Sequence, residues 1–295
     1  MKKTLLLLTV LVLSLALALS ACGADTTEDP NTDPSQQEQT GDEQDAQDVN
    51  EENPQDTEDD LAYIQDKGEL IIGVTNYEPM NYLDENGEWT GFDTEFAQAV
   101  CEKLGVTAVF QEIDWDNKIL ELDSKSIDCV WNGMTLTDEV LNAMSCSQPY
   151  INNAQVVVMP ADEIENYNEV ELLSTLSFAA EAGSAGEAAL QENNLTSAYT
   201  AVSTQADALL EVASGASDAC VIDITMAVAM TGEGTNYADL TYGLELTSEE
   251  YGIGFRKGSS AVAAVDEIIN QLIEEGTLQA LAEKYDLSGA LVANQ

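Results

Sequence analysis

Histidine is absent from the sequence, and positive charge is scarce. Nine lysines and arginines stand against 55 aspartates and glutamates, which gives a formal net charge of −46. The lack of histidine removes the commonest general base and the commonest metal ligand. Because so acidic a surface repels phosphate backbones, we expect no nucleic-acid partner. The many acids could bind calcium, but no loop has EF-hand spacing, so we predict no metal site and no cofactor.

Long apolar runs are also rare. One extends from residue 5 to residue 19, and no second run is long enough to span a bilayer. Lys2 and Lys3 precede it and small residues follow it, so residues 1–21 are predicted to be a secretory signal peptide. The tetrad Leu-Ser-Ala-Cys ending at Cys22 resembles the bacterial lipobox, which implies that Cys22 is acylated and anchors the protein to the outer face of the cell membrane. The alternative is an ordinary cleaved signal in which Cys22 has no role.

The other four cysteines form no C-x-x-C pair. Cys129 and Cys220 lie inside apolar, strand-like runs, so we interpret the buried thiols as small hydrophobic side chains. An exported chain could oxidise Cys101 and Cys146 as well, but the sequence does not determine any pairing.

Residues 22–60 have the composition of a tether. The stretch from Ala24 to Asp60 holds 15 acidic residues and no basic ones, and most of the rest are polar residues or proline. Such a composition cannot bury a hydrophobic core, so we predict that it is disordered and holds a folded part, beginning near Leu61, away from the membrane.

From Leu61 onward, strand-like and helix-like segments alternate, which predicts an α/β fold with parallel strands. The same alternation restarts after a strand at residues 155–159, so two α/β units of about a hundred residues each are expected. The predicted elements are strands at 70–74, 106–110, 127–131, 177–180 and 220–222, a hairpin at Asn86-Gly87, a helix capped by Asp93 and ended by Gly105, helices at 119–122 and 205–213, and a helical tail broken at Gly276.

The best candidate site follows the apolar strand at residues 127–131. Asn132-Gly133 is predicted to end that strand, and Thr137 to cap the next helix. The loop between them offers side-chain oxygens and free backbone N–H groups. Since ligands in open α/β sheets bind at the carboxyl ends of strands, we expect a small-molecule site there.

Eight motifs occur in one order that resembles a known family. They are Gly73-Val74 with Tyr77-Glu78-Pro79-Met80, Gly91-Phe92-Asp93, Asp114-Trp115-Asp116, Trp131-Asn132-Gly133-Met134-Thr135, Gln148-Pro149-Tyr150, Gly183-Ser184, Asp218-Ala219-Cys220-Val221-Ile222-Asp223 and Tyr251-Gly252-Ile253-Gly254-Phe255-Arg256-Lys257-Gly258. Together they resemble the bacterial extracellular solute-binding proteins of family 3, the polar amino-acid receptors of ABC importers. The resemblance covers residues 61 to about 287.

The resemblance implies a two-lobed, periplasmic-binding-protein-like (type II) α/β fold with a hinge of two crossover strands. Lobe 1 would comprise residues 61–153 and a return segment at 251–295, and lobe 2 residues 154–250.

The resemblance also implies which residues bind the ligand. Tyr77 and Trp115 match aromatic side chains that flank it, although both could be core aromatics. A loop then meets its ammonium and carboxylate, Ser184 donates to the carboxylate from a helix N-terminus, and Asp223 pairs with the ammonium. The loop residues are Asn132, Gly133 and Thr135. Asp223 lies at the end of an apolar strand, so it needs a cationic or N–H partner. Capping is the alternative for Thr135, and a purely structural role is the alternative for Asp223.

One position departs from the family pattern. Where the family has an arginine that clamps the ligand's carboxylate, this chain has Val140. Arg256 belongs to the return strand and is expected to lie away from the cleft. Lys118 is interpreted as a solvated helix residue, with reach to the ligand as the alternative. The ligand could therefore be held by backbone N–H groups alone, or lack a carboxylate.

The leading hypothesis is a monomeric, lipid-anchored receptor that captures a small polar solute, an amino acid, and delivers it to the membrane permease of an ABC importer. It is not an enzyme. One alternative is a ligand-sensing lipoprotein that acts through a membrane signalling partner. The other is an enzyme similar to cyclohexadienyl dehydratase, with Glu78 or Glu181 as the acid. Neither the solute nor the permease is identified by the sequence.

Overall fold

The computed structural model describes residues 59–292. Helices and strands alternate along this part of the chain. The helices are α1 Asp60–Lys67, α2 Phe92–Leu104, α3 Lys118–Asp123, α4 Asp138–Ala143, α5 Ala185–Glu192, α6 Gln205–Ala213, α7 Ile224–Met230, α8 Ala261–Glu274 and α9 Thr277–Lys284. The strands are β1 Glu69–Val74, β2 Tyr82–Leu83, β3 Trp89–Thr90, β4 Thr107–Glu112, β5 Cys129–Thr135, β6 Ser145–Cys146, β7 Ile151–Asn153, β8 Gln155–Pro160, β9 Phe178–Glu181, β10 Tyr199–Val202, β11 Ala219–Asp223, β12 Leu240–Glu245 and β13 Glu249–Phe255.

The first sheet has the strand order β4-β1-β5-β13-β6, and β7 also pairs with β13. β1 lies parallel to β4 and β5, whereas β13 runs antiparallel to β5. Leu70, Ile72 and Val74 of β1 are fully buried. A central parallel strand reads as an apolar run because both faces of the sheet are covered.

The second sheet has the order β10-β9-β11-β8-β12. β9, β10 and β11 are parallel, and β8 and β12 are antiparallel to their neighbours. The predicted helix at 205–213 is α6, and the predicted strand that ends at Asp223 is β11, so both predictions are confirmed.

The chain crosses between the two sheets twice. It passes to the second sheet between Asn153 and Gln155 and returns between Glu245 and Glu249. Two α/β lobes joined by two crossover segments form the predicted type II architecture, which is confirmed. The lobe boundaries at 61–153, 154–250 and 251–295 stay a prediction.

Strand β5 is buried on both faces. Cys129 and Trp131 belong to one hydrophobic cluster, in which Phe96 of α2 meets Trp131 edge-on at a ring-centroid distance of 5.0 Å. Val130 and Met134 belong to a second cluster on the other face. Because side chains alternate along a strand, β5 joins both halves of the lobe's core and its end is held rigidly.

The prediction that Asn132-Gly133 ends this strand is wrong, because β5 continues to Thr135. Gly133 has a φ of 55°, in the left-handed region that glycine adopts readily. The pairing of β5 with β13 shifts register between Gly252 and Gly254. The strand is therefore irregular at Gly133 but pairs with β13 on either side of it.

The prediction that Asp93 caps the second helix is also wrong. α2 has Gly91 at its N-cap position and no side-chain cap. The Asp93 carboxylate is buried, and Oδ2 accepts hydrogen bonds from the backbone N–H of Gly133 at 2.6 Å and the Tyr150 hydroxyl at 2.9 Å. Burial raises the pKa of Asp93 to about 7. This residue therefore fixes the irregular part of β5.

Ordered structure is already present at the last two residues of the predicted tether. Asp59 caps α1 by accepting a hydrogen bond from the N–H of Ala62. Asp60 is buried against Arg256, whose guanidinium also contacts Asp128. Asp59 and Asp60 are therefore part of the fold, because Ala62 and Ser260 donate hydrogen bonds to Asp59 and Arg256 pairs with Asp60.

The predicted signal peptide at residues 1–21, the predicted lipidation site Cys22 and the tether up to residue 58 lie outside the described residues. Between residues 59 and 292, no helix is both long enough and apolar enough to cross a membrane.

We predict that Arg256→Met lowers the free energy of unfolding by about 3 kcal/mol, because removing one partner of a buried ion pair leaves the other charge uncompensated. The acid that loses its cation is Asp60, whose side chain is 8% exposed, whereas Asp128 keeps Lys67. Urea unfolding of the purified protein measures the change. Lys103→Met is the matched control, since Lys103 pairs with a Glu275 side chain that is 53% exposed and such pairs contribute about 0–1 kcal/mol. Equal losses in the two variants would contradict the prediction.

Candidate ligand-binding site

The carboxyl ends of β5, β9 and β11 meet at a cavity of about 240 Å³. β5 belongs to the first sheet, and β9 and β11 belong to the second. All seven residues predicted to bind a ligand line this cavity: Tyr77, Trp115, Asn132, Gly133, Thr135, Ser184 and Asp223. The structure thus brings together residues up to about 150 positions apart in the chain, and their contact with a ligand stays a prediction.

The cavity wall is strongly acidic. Among the described residues that line it, five are acids and one, Lys118, is a base. The acids are Asp138, Glu139, Glu181, Glu192 and Asp223. Because a cleft lined by one sign of charge concentrates the opposite sign, this wall favours cationic groups.

The irregular part of β5 forms the floor of the cavity. Its hydrogen-bonding groups were predicted to be free, but the N–H of Gly133 already donates to Asp93. The Asn132 side chain accepts hydrogen bonds from the N–H and hydroxyl of Thr75 and donates to the Thr75 carbonyl. A Cβ at position 133 would lie 2.5 Å from the Tyr77 ring. Asn132 and Gly133 therefore shape the floor through their backbone and have few unused donors.

The Tyr77 hydroxyl joins a hydrogen-bonded triangle with the hydroxyls of Thr225 and Tyr251. Both distances from Tyr77 are 2.6 Å, and the third is 3.0 Å. Thr225 lies on α7 of the second lobe, whereas Tyr251 lies on β13 of the first sheet. Tyr77 therefore presents its ring to the cavity while its hydroxyl links the two lobes.

Trp115 and Lys118 form the next part of the wall. Lys118 is 7% exposed, and its ammonium donates to the carbonyls of Gly183 at 2.8 Å and Trp115 at 3.3 Å. It also lies 5.0 Å from the Trp115 ring centroid. Burial lowers the pKa of Lys118, against the opposing effect of the acids around it, of which Glu139 is the first. The interpretation of Lys118 as a solvated helix residue is therefore wrong, because both its stem and its ammonium are buried at the cavity.

Val140 lines the cavity in the first turn of α4. Thr137 caps this helix as predicted, since its hydroxyl accepts a hydrogen bond from the Val140 N–H at 3.2 Å. Thr135 donates instead to Glu249 at 2.8 Å, so the capping alternative for Thr135 is wrong. Arg256 is not among the residues that line the cavity, as expected.

Ser184 caps α5, and its hydroxyl accepts a hydrogen bond from the N–H of Glu187 at 3.1 Å. Glu187 in turn accepts a hydrogen bond from the N–H of Gly183 at 2.7 Å. Gly183 has a φ of 68°, and a Cβ there would lie 2.8 Å from the Cα of Asp116. This turn of the second lobe therefore packs directly against the first lobe, with no space for a side chain.

Asp223, at the end of β11, is buried among side-chain amides. Asn153 and Gln155 donate to its Oδ1, and Gln205 donates to its Oδ2. The first two amides also donate to Glu249, at 2.7 Å each. Burial, with a smaller effect of Glu249, raises the pKa of Asp223 to about 7. The prediction that Asp223 requires an N–H partner is confirmed, and the partners are neutral.

Glu181, at the end of β9, is 3% exposed. No described residue donates a hydrogen bond to its carboxylate, and its Oε1 is fully buried. Burial, followed by the charge of Asp223, raises the pKa of Glu181 well above its usual value, while Lys118 lowers it. Glu78, the other acid considered from the sequence, lines a separate cavity.

Sequence reasoning missed Lys118 and gave Glu181 too little weight. For Glu181 a signal was present, since an acid at the end of a predicted strand lies at the edge where ligands bind. For Lys118 the only signal was its position three residues after Trp115, and its main partner, Gly183, is 65 residues away. No group of three or more potential metal ligands occurs in the part of the chain that the structure describes.

The chain is similar to known proteins in both sequence and structure. Residues 70–288 match the family model of the bacterial extracellular solute-binding proteins, family 3. The L-cystine-binding protein TcyJ of Escherichia coli (strain K12) is 29% identical over 76% of this chain and 85% of its own length.

Two solved structures are similar over nearly their whole length. An ABC uptake transporter substrate-binding protein from Streptococcus pneumoniae with bound histidine has a TM-score of 0.73 and 28% identity, covering 81% of this chain and 99% of that one. The ancestral amino acid-binding protein AncCDT-1, a precursor of cyclohexadienyl dehydratase, has a TM-score of 0.70 and 30% identity, covering 76% and 98%.

We predict that the Asp223 carboxyl group of the unliganded protein titrates about three pH units above an exposed aspartate, because burial disfavours its charged form. Carbon-13 NMR of labelled side-chain carboxyl groups measures the midpoint, and the signal that disappears in Asp223→Asn assigns it. The reference is the pKa of an aspartate in a model peptide, about 3.9. A midpoint for Asp223 at or below pH 4 would show that the three amides stabilise the charge fully.

Proposed function

We propose a function from the premise that the chain belongs to the bacterial extracellular solute-binding proteins, family 3. The protein binds an amino acid in the cavity between its two lobes and delivers it to the membrane permease of an ABC importer. The observation that carries the proposal is Asp223, a buried carboxylate at a strand end that faces the cavity and is held by neutral amides. It is placed to receive the α-ammonium group of the ligand.

The aromatic side chains and the α5 turn complete the proposed site. The rings of Tyr77 and Trp115 flank the ligand and bury its methylene groups. Ser184 marks the N-terminus of α5, where backbone N–H groups attract a carboxylate. Gly133 and Asn132 contribute the shape of the floor.

Lys118 takes over part of the role that the missing arginine would have. Because Val140 stands where the family has an arginine, no guanidinium is available at that position. Lys118 is the base that lines the cavity in the described part of the chain. Two N–H bonds of its ammonium are used on the carbonyls of Trp115 and Gly183. An ammonium has three donors, so one remains for the carboxylate of a ligand.

We infer that the lobes close over the ligand, because hydrogen bonds cross from one lobe to the other. Lys118 reaches the carbonyl of Gly183, and Tyr77 reaches the hydroxyl of Thr225. We take residues 61–153 and 251–295 as lobe 1 and residues 154–250 as lobe 2. A ligand that contacts both lobes stabilises the closed state by the difference between its affinities for the closed and open states.

In the cell, the proposed receptor is exported and anchored to the outer face of the membrane through lipidated Cys22. Residues 22–58 separate the folded part from that anchor, and the receptor acts as a monomer. Signal peptide, lipobox and tether composition support this arrangement.

A catalytic role for Glu181 is the second candidate. A buried acid with a raised pKa at the cavity could donate a proton, and AncCDT-1 is described as a precursor of an enzyme. TcyJ and the Streptococcus pneumoniae protein are named as binding proteins, however. We propose that the ligand is bound and released unchanged.

We predict that a thermal-shift screen of the purified protein against the standard amino acids, cystine, ornithine and small amines finds a stabilising ligand. A ligand at 100 times its dissociation constant adds about 2.7 kcal/mol to the free energy of unfolding. Asp223→Asn and Trp115→Ala should abolish the shift, whereas Asp239→Asn, which changes an exposed acid of the same lobe, should preserve it.

Mass spectrometry of the bound ligand after release should find it chemically unchanged, and conversion of the ligand would favour the enzyme instead. No stabilisation by any amino acid or amine would overturn the proposed function.

A further inference from the structure

Glu181 presents to the cavity a buried carboxylate that the described residues do not neutralise. Its Oε1 has no hydrogen-bond partner, and the residue is 97% buried, since its exposed fraction is 3%. Asp223 differs, because three side-chain amides already donate to it. A buried charge without a partner is unfavourable by several kcal/mol. Glu181 therefore stays protonated in the empty cavity or ionises when a partner enters the cavity from outside.

Lys118, the base of the cavity wall among the described residues, is not the partner of Glu181. The Lys118 ammonium donates to the carbonyls of Trp115 and Gly183, and no ion pair joins it to Glu181. Its effect on Glu181 is a longer-range attraction, and Asp223, Asp207 and Asp114 oppose it. The local balance of charge at Glu181 is therefore negative.

A cationic group satisfies this position better than a neutral one. A neutral amide or hydroxyl could donate a hydrogen bond to the Glu181 carboxylate, as three amides do to Asp223, but it would leave the negative potential of the wall unchanged. A guanidinium or ammonium donates charge-assisted hydrogen bonds, which are about twice as strong as neutral ones. Its positive charge also offsets the negative charge of the described cavity lining, which has five acids and one base.

We propose that Glu181 is a specificity-determining residue that binds a second cationic group of the ligand, so that the substrate class is amino acids with a basic side chain. This rests on the proposed function, in which Asp223 binds the α-ammonium group. Glu181 and Asp223 end neighbouring parallel strands, β9 and β11. The two acids thus bind the two cationic ends of one small ligand, with the methylenes between them against the aromatic rings of Tyr77 and Trp115.

Isothermal titration calorimetry with matched ligands tests the proposal on the full protein. Arginine and citrulline differ by a guanidinium against a neutral ureido group, and lysine and norleucine differ by an ammonium against a methyl group. Wild type should bind the cationic member of at least one pair about 30-fold or more tightly than its neutral partner, as expected for a buried charge pair. Glu181→Gln should reduce that preference to about threefold or less.

Glu233→Gln is the matched control, because Glu233 is an exposed acid of the second lobe that does not line the cavity. It should leave the preference within about threefold of wild type, since exposed charges are screened by solvent. Equal affinity for charged and neutral partners in wild type, or a preference unchanged by Glu181→Gln, overturns the inference and leaves the proposed function standing. No binding of any amino acid or amine overturns both.

A measurement on wild type alone keeps the proposal testable if Glu181→Gln fails to fold. Calorimetry at pH 7 in two buffers with different ionisation enthalpies counts the protons released on binding. Both members of a pair bring the same α-ammonium to Asp223, so that contribution cancels. The cationic member should release more protons than the neutral one, because it drives Glu181 to its charged form. Equal release for the two members, where both bind, contradicts the proposal.

Discussion

Buried carboxylates without cations are the constraint that organises this structure. Only seven basic side chains follow residue 21, and two of them, Lys67 and Arg256, are used on the buried acids Asp128 and Asp60. The other buried acids must be satisfied by uncharged donors or remain protonated. Asp93 uses a backbone N–H and a phenol, and Asp223 uses three amides.

Neutral hydrogen-bond donors stabilise a buried carboxylate in the folded protein, but they leave its negative charge uncancelled. An amide hydrogen bond stabilises a carboxylate without cancelling its charge, so Asp223 keeps an attraction for a cation that an arginine partner would remove. Its raised pKa is the sign of this incomplete compensation. Glu181 is the extreme case, with no hydrogen-bond donor among the described residues. The scarcity of basic residues therefore leaves the described cavity wall acidic, and such a wall favours cationic groups.

The sequence predicted those features that depend on local patterns. α6 and β11 have the predicted bounds within one or two residues because their apolar periodicity is set by one helix face and one buried strand. Gly105 ends α2 in the left-handed conformation that glycine favours, as predicted. The two-lobed architecture and the residues that line the cavity were predicted from a resemblance that extends over many motifs, and no single motif would have predicted them.

Long-range contacts account for what was missed. Asp93 resembles a helix cap in sequence, but Gly133, 40 residues later, takes its carboxylate. Asn132-Gly133 resembles a strand end, but β13, more than a hundred residues later, continues the pairing. Lys118 resembles a solvated helix residue, but a carbonyl of the other lobe holds its ammonium. In each case the deciding partner is distant in the chain, and local propensity carries no information about it.

The Lys118 contact also connects specificity with closure. Its partner Gly183 lies in a turn so close to Asp116 that a Cβ would not fit between them, so the hydrogen bond can form only when the lobes are together. In an open state the ammonium would lose that carbonyl and regain water, and its remaining donor would no longer be directed by two fixed acceptors. The proposed closure would therefore orient Lys118, the base that lines the cavity among the described residues, and would bring Glu181 and Asp223 of the second lobe opposite the aromatic wall of the first. A ligand with complementary charges meets all of these groups only in the closed state, which is the condition for a ligand to stabilise that state.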